Sequence, residues 1–240
     1  MKPFLSVIIP TYNEEKRLPL TLVDVDRQLK AADYSYEIII VDNGSSDSTP
    51  KIMETFVKIV PSMRLIEGVR EKGKGYAVKL GMLSARGNYR LFMDADNATS
   101  IDQFGAMIPF FKAGYDVVIG SRYLKGSVID PPQPLWKRLL GRIGNVIIRI
   151  FLLRGVKDTQ CGFKCFSEEA AEKIFRSVSL AGWGFDFESL VIAKGLGFKI
   201  KEMPVRWSDG GESKVGFSAY FSTLRDAIVV KLNILLHRYD

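Results

Sequence analysis

Five short apolar runs punctuate the first half of the chain, and a polar cluster closes each. They are FLSVIIP (Phe4 to Pro10), YEIIIVD (Tyr36 to Asp42), MRLIEG (from Met63), YRLFMDAD (Tyr89 to Asp96) and YDVVIGSR (Tyr115 to Arg122). Runs this short, rich in Ile and Val, predict strands buried on both faces. Helical spacing lies between them, over Leu18 to Ala31 and Ile52 to Val60. Pro50 follows a Ser/Thr-rich turn, as a helix start requires. The stretch GKGYAVKLGMLSA, from Gly73, reads as a glycine-rich loop entering a helix. Strands alternating with helices predict an α/β domain with a parallel, doubly wound sheet. Right-handed crossovers then bring the strand ends to one edge, where such sheets bind ligands. The polar clusters Thr11–Glu14, Asp42–Ser46, Asp94–Asn97 and Ser121–Arg122 fall at those ends.

After residue 125 the pattern changes. GSVIDPPQP is a loop, and LWKRLLGRIGNVIIRIFLLRGV is a basic, apolar helical stretch. KDTQCGFKCFS follows, then a helix near Glu168 to Arg176. AGWGFDFESLVIAKGLG reads as loop and helix, FKIKEMPVRW alternates like a strand, and Ala219 to Leu236 form a last helix. With no repeat, low-complexity tract or linker, residues 1–240 are expected to form a single domain.

Composition narrows the classes. A hydrophobic fraction of 47% supports a core and excludes a disordered chain. Cys161 and Cys165 have no histidine near them, because the only one is His237, so a zinc site is rejected. The two thiols read as packing residues in a reducing cytosol. The first residues turn polar too early for a signal peptide. Charges interrupt every long apolar run, so no transmembrane helix is expected. A net charge of +7 points to an anionic partner: nucleic acid, lipid surface or phosphorylated substrate.

The chemistry concentrates at the strand ends. Asp94 and Asp96, one residue apart after an apolar run, should project to the same side if the strand continues through them. Two carboxylates that close repel unless a cation lies between them. Mg²⁺ or Mn²⁺, bound by one or two carboxylates and a substrate phosphate, fits that pattern. The bland alternative is a solvated turn. Tyr12 offers a stacking face, Glu14 an acceptor for base or sugar donors, and Asp42 an acceptor for a ribose hydroxyl. For Tyr12 a surface aromatic is the competing reading, and for Asp42 a turn cap. Lys72, Gly73, Lys74 and Gly75 precede a helix and suit an anion. Neither a Walker P-loop nor G-x-G-x-x-G is present. Together these positions describe a site for a nucleoside diphosphate.

SVIIPTYNEE, IIIVDNGSSDST, KGKGYAVKLG and FMDADNAT, in that order, resemble the family 2 glycosyltransferases of the GT-A fold. In the second half, GSRY, WKRLLGRIGN, DTQCGFKCF, GFDFE and GESKVG are similar to the group acting on dolichyl phosphate, both its glucosyltransferases and its mannose synthases. DTQCGFK leans toward UDP-glucose as donor, with GDP-mannose the alternative. The resemblance implies a nucleotide-sugar half, 1–125, and an acceptor half, 126–240, with helices at the membrane interface. It implies that Pro10, Tyr12, Glu14, Asp42, Lys72, Gly73, Asp94, Ala95 and Asp96 hold the donor. Asp94 and Asp96 would meet the metal, Mg²⁺ or Mn²⁺. Mannose synthases place a metal-binding Gln at the position of Ala98, so Asp96 is expected to carry more here. Many relatives have a second Asp where this chain has Asn43.

Arg122, Arg142 and Lys214 match the basic positions that hold the acceptor phosphate. Asp158 would orient the acceptor or a basic partner, and it joins Asp94, Asp96 and Arg122 as a candidate catalytic residue. Asp186 and Glu188 lie where other family 2 enzymes keep a base and are assigned supporting roles. A phosphate acceptor is already anionic and hardly needs a base. The implied activity is inverting hexose transfer from a nucleotide sugar to a polyprenyl (dolichyl-type) phosphate. The basic amphipathic stretch around Arg142 and Arg149 suits a core helix with a basic outer face or an anionic interface; a lipid acceptor favours the interface, so peripheral attachment to the cytoplasmic membrane face is expected. Two other readings stand beside it: transfer to a sugar hydroxyl, which requires a base such as Asp186, and a basic nucleic-acid-binding module. The carboxylate pair argues against nucleic acid, because it repels phosphate when no metal is bound.

Overall fold

The computed structural model describes residues 2–67, 73–131, 135–208 and 217–239. A seven-stranded mixed sheet in the order β3-β2-β1-β4-β7-β5-β8 is the frame. Its members are β1 (Leu5–Thr11), β2 (Tyr36–Asp42), β3 (Met63–Ile66), β4 (Tyr89–Met93), β5 (Val117–Ser121), β7 (Phe163–Ser167) and β8 (Ile200–Pro204). Strands β1, β2, β3 and β4 run parallel, in line with the expected crossovers. Strand β6 (Val128–Ile129) pairs with β9 (Arg206–Trp207) in a small second sheet.

Strand β7 is the departure from the expected pattern. It runs antiparallel to both β4 and β5, and so brings its beginning, not its end, to the ligand edge. It joins the second half of the chain to the first in one sheet, with one layer of helices on each face. Helices α3 (Lys74–Ser84), α6 (Glu168–Ser177) and α7 (Phe185–Gly195) pack around Ile8, Phe92 and Phe166 on one face. Helix α1 (Leu18–Lys30) and the short helical turn Ile101–Ala106 pack around Val7, Leu91 and Phe163 on the other. Helix α2 (Thr49–Ile59) buries Met53 beneath the end of β2, and α4 (Ile108–Lys112) leads into β5.

Helices α5 (Leu135–Phe151) and α8 (Phe217–Leu235) pack against each other outside the sheet. Ile148 and Asn145 of α5 are buried, while Ile143, Val146, Ile150 and Phe151 are exposed. Along α8, Val230 is buried, and Phe221, Ile228, Leu232 and Leu235 face outward. Among the described residues no helix is long and apolar enough to cross a membrane.

Candidate active site

The end of β1 delivers Tyr12, which is exposed, and Glu14, which is buried. Glu14 accepts from Arg17 Nε and Nη2 at 2.7 and 2.6 Å. Pro10 is buried within the strand. Asp42, at the end of β2, accepts from the backbone N–H of Gly44 at 3.2 Å and of Ser45 at 3.1 Å. These are turn bonds, and they leave further acceptor capacity on the carboxylate. Asn43 Oδ1 accepts from Gly73 N at 3.0 Å, which ties β2 to the glycine-rich loop. Lys72 lies outside the described residues.

That loop is pressed against the turn before α7. Gly73 has φ of 141°, a conformation open to glycine, and a Cβ there would collide with the Ala181 carbonyl. A Cβ on Gly75 would come within 2.7 Å of Phe185 Cβ and 2.8 Å of Gly182 O. Two glycines therefore let the backbones meet and carry Lys74 into the site.

Strand β4 ends at Met93, so strand alternation does not align the two acids as expected. Asp94, Ala95 and Asp96 lie in the turn that follows, held by Thr21 Oγ1 donating to Ala95 O at 2.7 Å. Asp96 Oδ1 accepts from Ala98 N at 3.0 Å, and Arg17 Nη1 stands 3.7 Å from Asp96 Oδ2. Lys74 Nζ is 2.5 Å from Asp94 Oδ1. Burial and the nearby Asp94 charge raise the Asp96 pKa above the usual carboxylate value. Burial would lower the Lys74 pKa, but the Asp94 and Asp186 charges outweigh it, and the ammonium is held charged. The rings of Trp183 and Phe185 lie 5.2 and 5.9 Å from it.

This arrangement fits a hard divalent cation. The two acids crowd each other, and the buried Asp94 Oδ1 has no aligned hydrogen bond, only the Lys74 charge beside it. No cluster of three His, Cys, Asp or Glu occurs among the described residues. Two carboxylates completed by a substrate phosphate is how Mg²⁺ or Mn²⁺ is commonly held.

The segment before β7 borders the same site. Gly162 abuts Asp94, and a Cβ there would overlap the carboxylate. Asp158 is fully buried and accepts from Arg122 N, Nε and Nη2 at 2.9, 2.8 and 3.0 Å. Burial would raise the Asp158 pKa, but Arg122 holds it below the usual value. Glu202 accepts from the backbone N–H of Lys157 and Asp158 at 2.8 and 2.9 Å. Asn145 of α5 donates to Lys157 O at 2.6 Å and accepts from Thr159 Oγ1 at 2.8 Å. Arg122 and Arg142 approach the Tyr123 ring at 5.8 and 5.9 Å. Lys214 lies outside the described residues.

Asp186 opens α7 and is buried against Lys164 of β7, which forms an ion pair with it and donates to Cys161 O at 2.7 Å. Glu188 accepts from Ser179 N and Oγ, Leu180 N and Tyr239 Oη. Its bonds brace the 179–180 turn and the C-terminal segment. Cys161 and Cys165 are buried free thiols, and burial pushes the Cys161 pKa up to about 12. Arg17, Asn145 and Lys164 were not anticipated as site residues. Their partners are set by the folded chain, and for Lys164 only its place in an apolar run hints at burial.

Residues 6–175 match the sequence profile Glycosyl transferase family 2. The chain belongs to glycosyl transferase family 2. Among similar family members is a dolichyl-phosphate beta-glucosyltransferase of Dictyostelium discoideum, 37% identical, covering 97% of this chain and 75% of that protein. The Homo sapiens protein of the same name is 32% identical over 96% of this chain and 76% of its own length. The Saccharomyces cerevisiae one is 34% identical over 98% and 76%. The fold is shared with glucosyl-3-phosphoglycerate synthase from Mycobacterium tuberculosis in complex with UDP, at TM-score 0.65, 19% identity, and 95% and 80% coverage. Mannosyltransferase PcManGT from Pyrobaculum calidifontis, in complex with GDP-Man and Mn²⁺, superposes at TM-score 0.60 with 19% identity, over 99% and 65%. This glycosyltransferase therefore has a GT-A-like α/β domain.

Proposed function

We propose that this family 2 enzyme transfers glucose, with inversion, from UDP-glucose to dolichyl phosphate. Kinship with proteins of that named activity along nearly the whole chain supports the reading. The observation that carries it within the site is the pair of guanidinium groups on Tyr123. Arg122 and Arg142 converge there, and the segment Asp158–Gly162 links them to Asp94. Planar guanidinium forks suit a phosphate acceptor.

Asp94 and Asp96 would hold Mg²⁺ or Mn²⁺, which supplies positive charge to the departing diphosphate. Tyr12, Glu14 and Asp42 line the edge assigned to the nucleoside. Lys74 keeps a fixed positive charge beside Asp94. Arg122 is oriented by Asp158, so its fork is set before the acceptor arrives. The lipid phosphate oxygen attacks the anomeric carbon, and the bond from that carbon to the UDP oxygen breaks.

The acceptor is a membrane lipid, and the exposed apolar faces of α5 and α8 offer a surface for it. Between them lies a groove of about 430 Å³ lined by Ile150, Phe151, Leu152, Arg154, Lys194 and Lys231. Apolar side chains rimmed by lysine and arginine suit an anionic leaflet such as the cytoplasmic one. The test is a panel of UDP- and GDP-sugars with a short polyprenyl phosphate, Mg²⁺ or Mn²⁺, and detection of the lipid product. Glucolipid from UDP-glucose is expected. Mannolipid from GDP-mannose alone replaces the donor, and no lipid-linked sugar from any donor sinks the reading.

A further inference from the structure

Lys164 is among the largest fully buried side chains of the described residues and is the second residue of β7. A buried ammonium persists when its charge is paired and its protons are bonded. Here one partner is Asp186 and another is Cys161 O at 2.7 Å, with the Phe92 ring 5.4 Å away. Asp186 stands close to the carboxylate pair: Lys164 joins it to the Cys161 carbonyl, and the next residue, Gly162, abuts Asp94. It is the carboxylate of this neighbourhood that could take a proton from a neutral acceptor.

We propose that Lys164 sets the acceptor class of this enzyme by withholding Asp186 as a base. The inference rests on the phosphate-acceptor reading above and deepens it. For Asp186 to take a proton it would have to surrender its charge and leave Lys164 buried and unpaired. Breaking a buried pair in this way leaves an uncompensated buried charge. An anionic phosphate needs no proton removed, so it is unaffected. Water and sugar hydroxyls do need one, and the pair excludes them. Lys164 is thus a positioning residue that guards the donor against hydrolysis while it waits for the lipid.

With Lys164 removed, water supplies the competing reaction. Its oxygen bonds to the anomeric carbon, Asp186 takes the proton, and the bond to the UDP oxygen breaks with its electron pair on UDP. The products are glucose and UDP. The experiment compares the full chain with Lys164→Met, Lys164→Arg, Asp186→Asn and the double variant Lys164→Met/Asp186→Asn. Hydrolysis of UDP-glucose is followed with Mn²⁺ and no lipid, and glucolipid formation with a short polyprenyl phosphate.

Lys164→Met is expected to raise hydrolysis by about tenfold, a low value for an acquired general base. Lys164→Arg should not raise it, and adding Asp186→Asn to Lys164→Met should cancel the gain. Asp186→Asn alone should leave hydrolysis at the low level of the unmodified enzyme. A folded, UDP-binding Lys164→Met protein with no gain in hydrolysis overturns the proposal. A gain in hydrolysis that persists in the folded double variant overturns it as well, since the base would then not be Asp186. Should Lys164→Met fail to fold, Lys164→Gln, which keeps a polar partner for Asp186 without a charge, takes its place in the hydrolysis assay. Absence of glucolipid from the unmodified enzyme would refute the function itself, which is a separate outcome.

Discussion

Gly162 gives the space of its missing side chain to the carboxylate of Asp94. The backbone there cannot retreat, because Lys164 holds the adjacent Cys161 carbonyl and β7 begins one residue later. Gly162→Ala should therefore push Asp94 out of place while the sheet survives. Turnover should fall about a hundredfold, the scale expected for a misplacement near 1 Å. Mn²⁺ titration by calorimetry checks it, and unchanged affinity with normal turnover would refute the packing argument.

Asp96 has the more independent test. Asp96→Ala removes half of the carboxylate pair and leaves the Asp94–Lys74 contact intact. Turnover should be lost by a hundredfold or more, on the order seen when a charge-stabilising group is removed from an active site. Near-normal turnover at saturating metal would take Asp96 out of the metal site.

Acid stability should follow the Asp158–Arg122 pair. Asp158 is held below its unfolded value, so its stabilisation is full above about pH 4 and drains away as pH falls through the depressed native value. Arg122→Leu reverses the sign, since burial alone raises the carboxyl. The variant should lose about 3 kcal/mol at neutral pH. That deficit against the unmodified protein should shrink as pH falls below about 4, as read by urea unfolding followed by circular dichroism. Equal stability of the two proteins at neutral pH would show that the pair is energetically silent.

Tyr239 Oη donates to Glu188 Oε1 at 2.7 Å and accepts from Asn233 Nδ2 at 3.1 Å. Tyr239→Phe removes a hydrogen bond to a carboxylate and should cost about 2 kcal/mol. For a chain of this size that lowers Tm by about 4–8 °C. Differential scanning calorimetry measures it directly.

Ile228 and Leu235 test the lipid face, since both point outward from α8. The double variant Ile228→Glu/Leu235→Glu should lose binding to anionic vesicles in a flotation assay and still bind UDP. Equal flotation of both proteins would refute the proposed membrane face on α8.

The sheet was readable wherever strands are apolar throughout. The runs Phe4 to Pro10, Tyr36 to Asp42, Tyr89 to Asp96 and Tyr115 to Arg122 each hold a strand of the main sheet. Strand β7 was not legible, because a lysine interrupts its apolar residues at the second position of FKCFS. That lysine is buried through an acid 22 residues away, a pairing that local periodicity does not encode. The helical turn Ile101–Ala106 and α4 also went unnoticed, being too short to establish a period. Within the site, Asp94 and Asp96 were legible as an acid pair after a strand. Lys74 was legible as a charge on the glycine-rich loop, but neither it nor Arg17 as a partner of these acids, since they reach them from a loop and a turn distant in sequence. Asp158 and Arg122 were both singled out, but not as partners of each other.

That partnership has a bearing on how the enzyme can diversify. Arg122 and Asp158 are 36 positions apart, and their ion pair fastens the two ends of the excursion that contains α5. Asn145 fastens it a second time from within. The excursion is thus a cassette with a closed base. Changes on its outer surface are thereby separated from Asp94 and Asp96 by a base that is pinned twice.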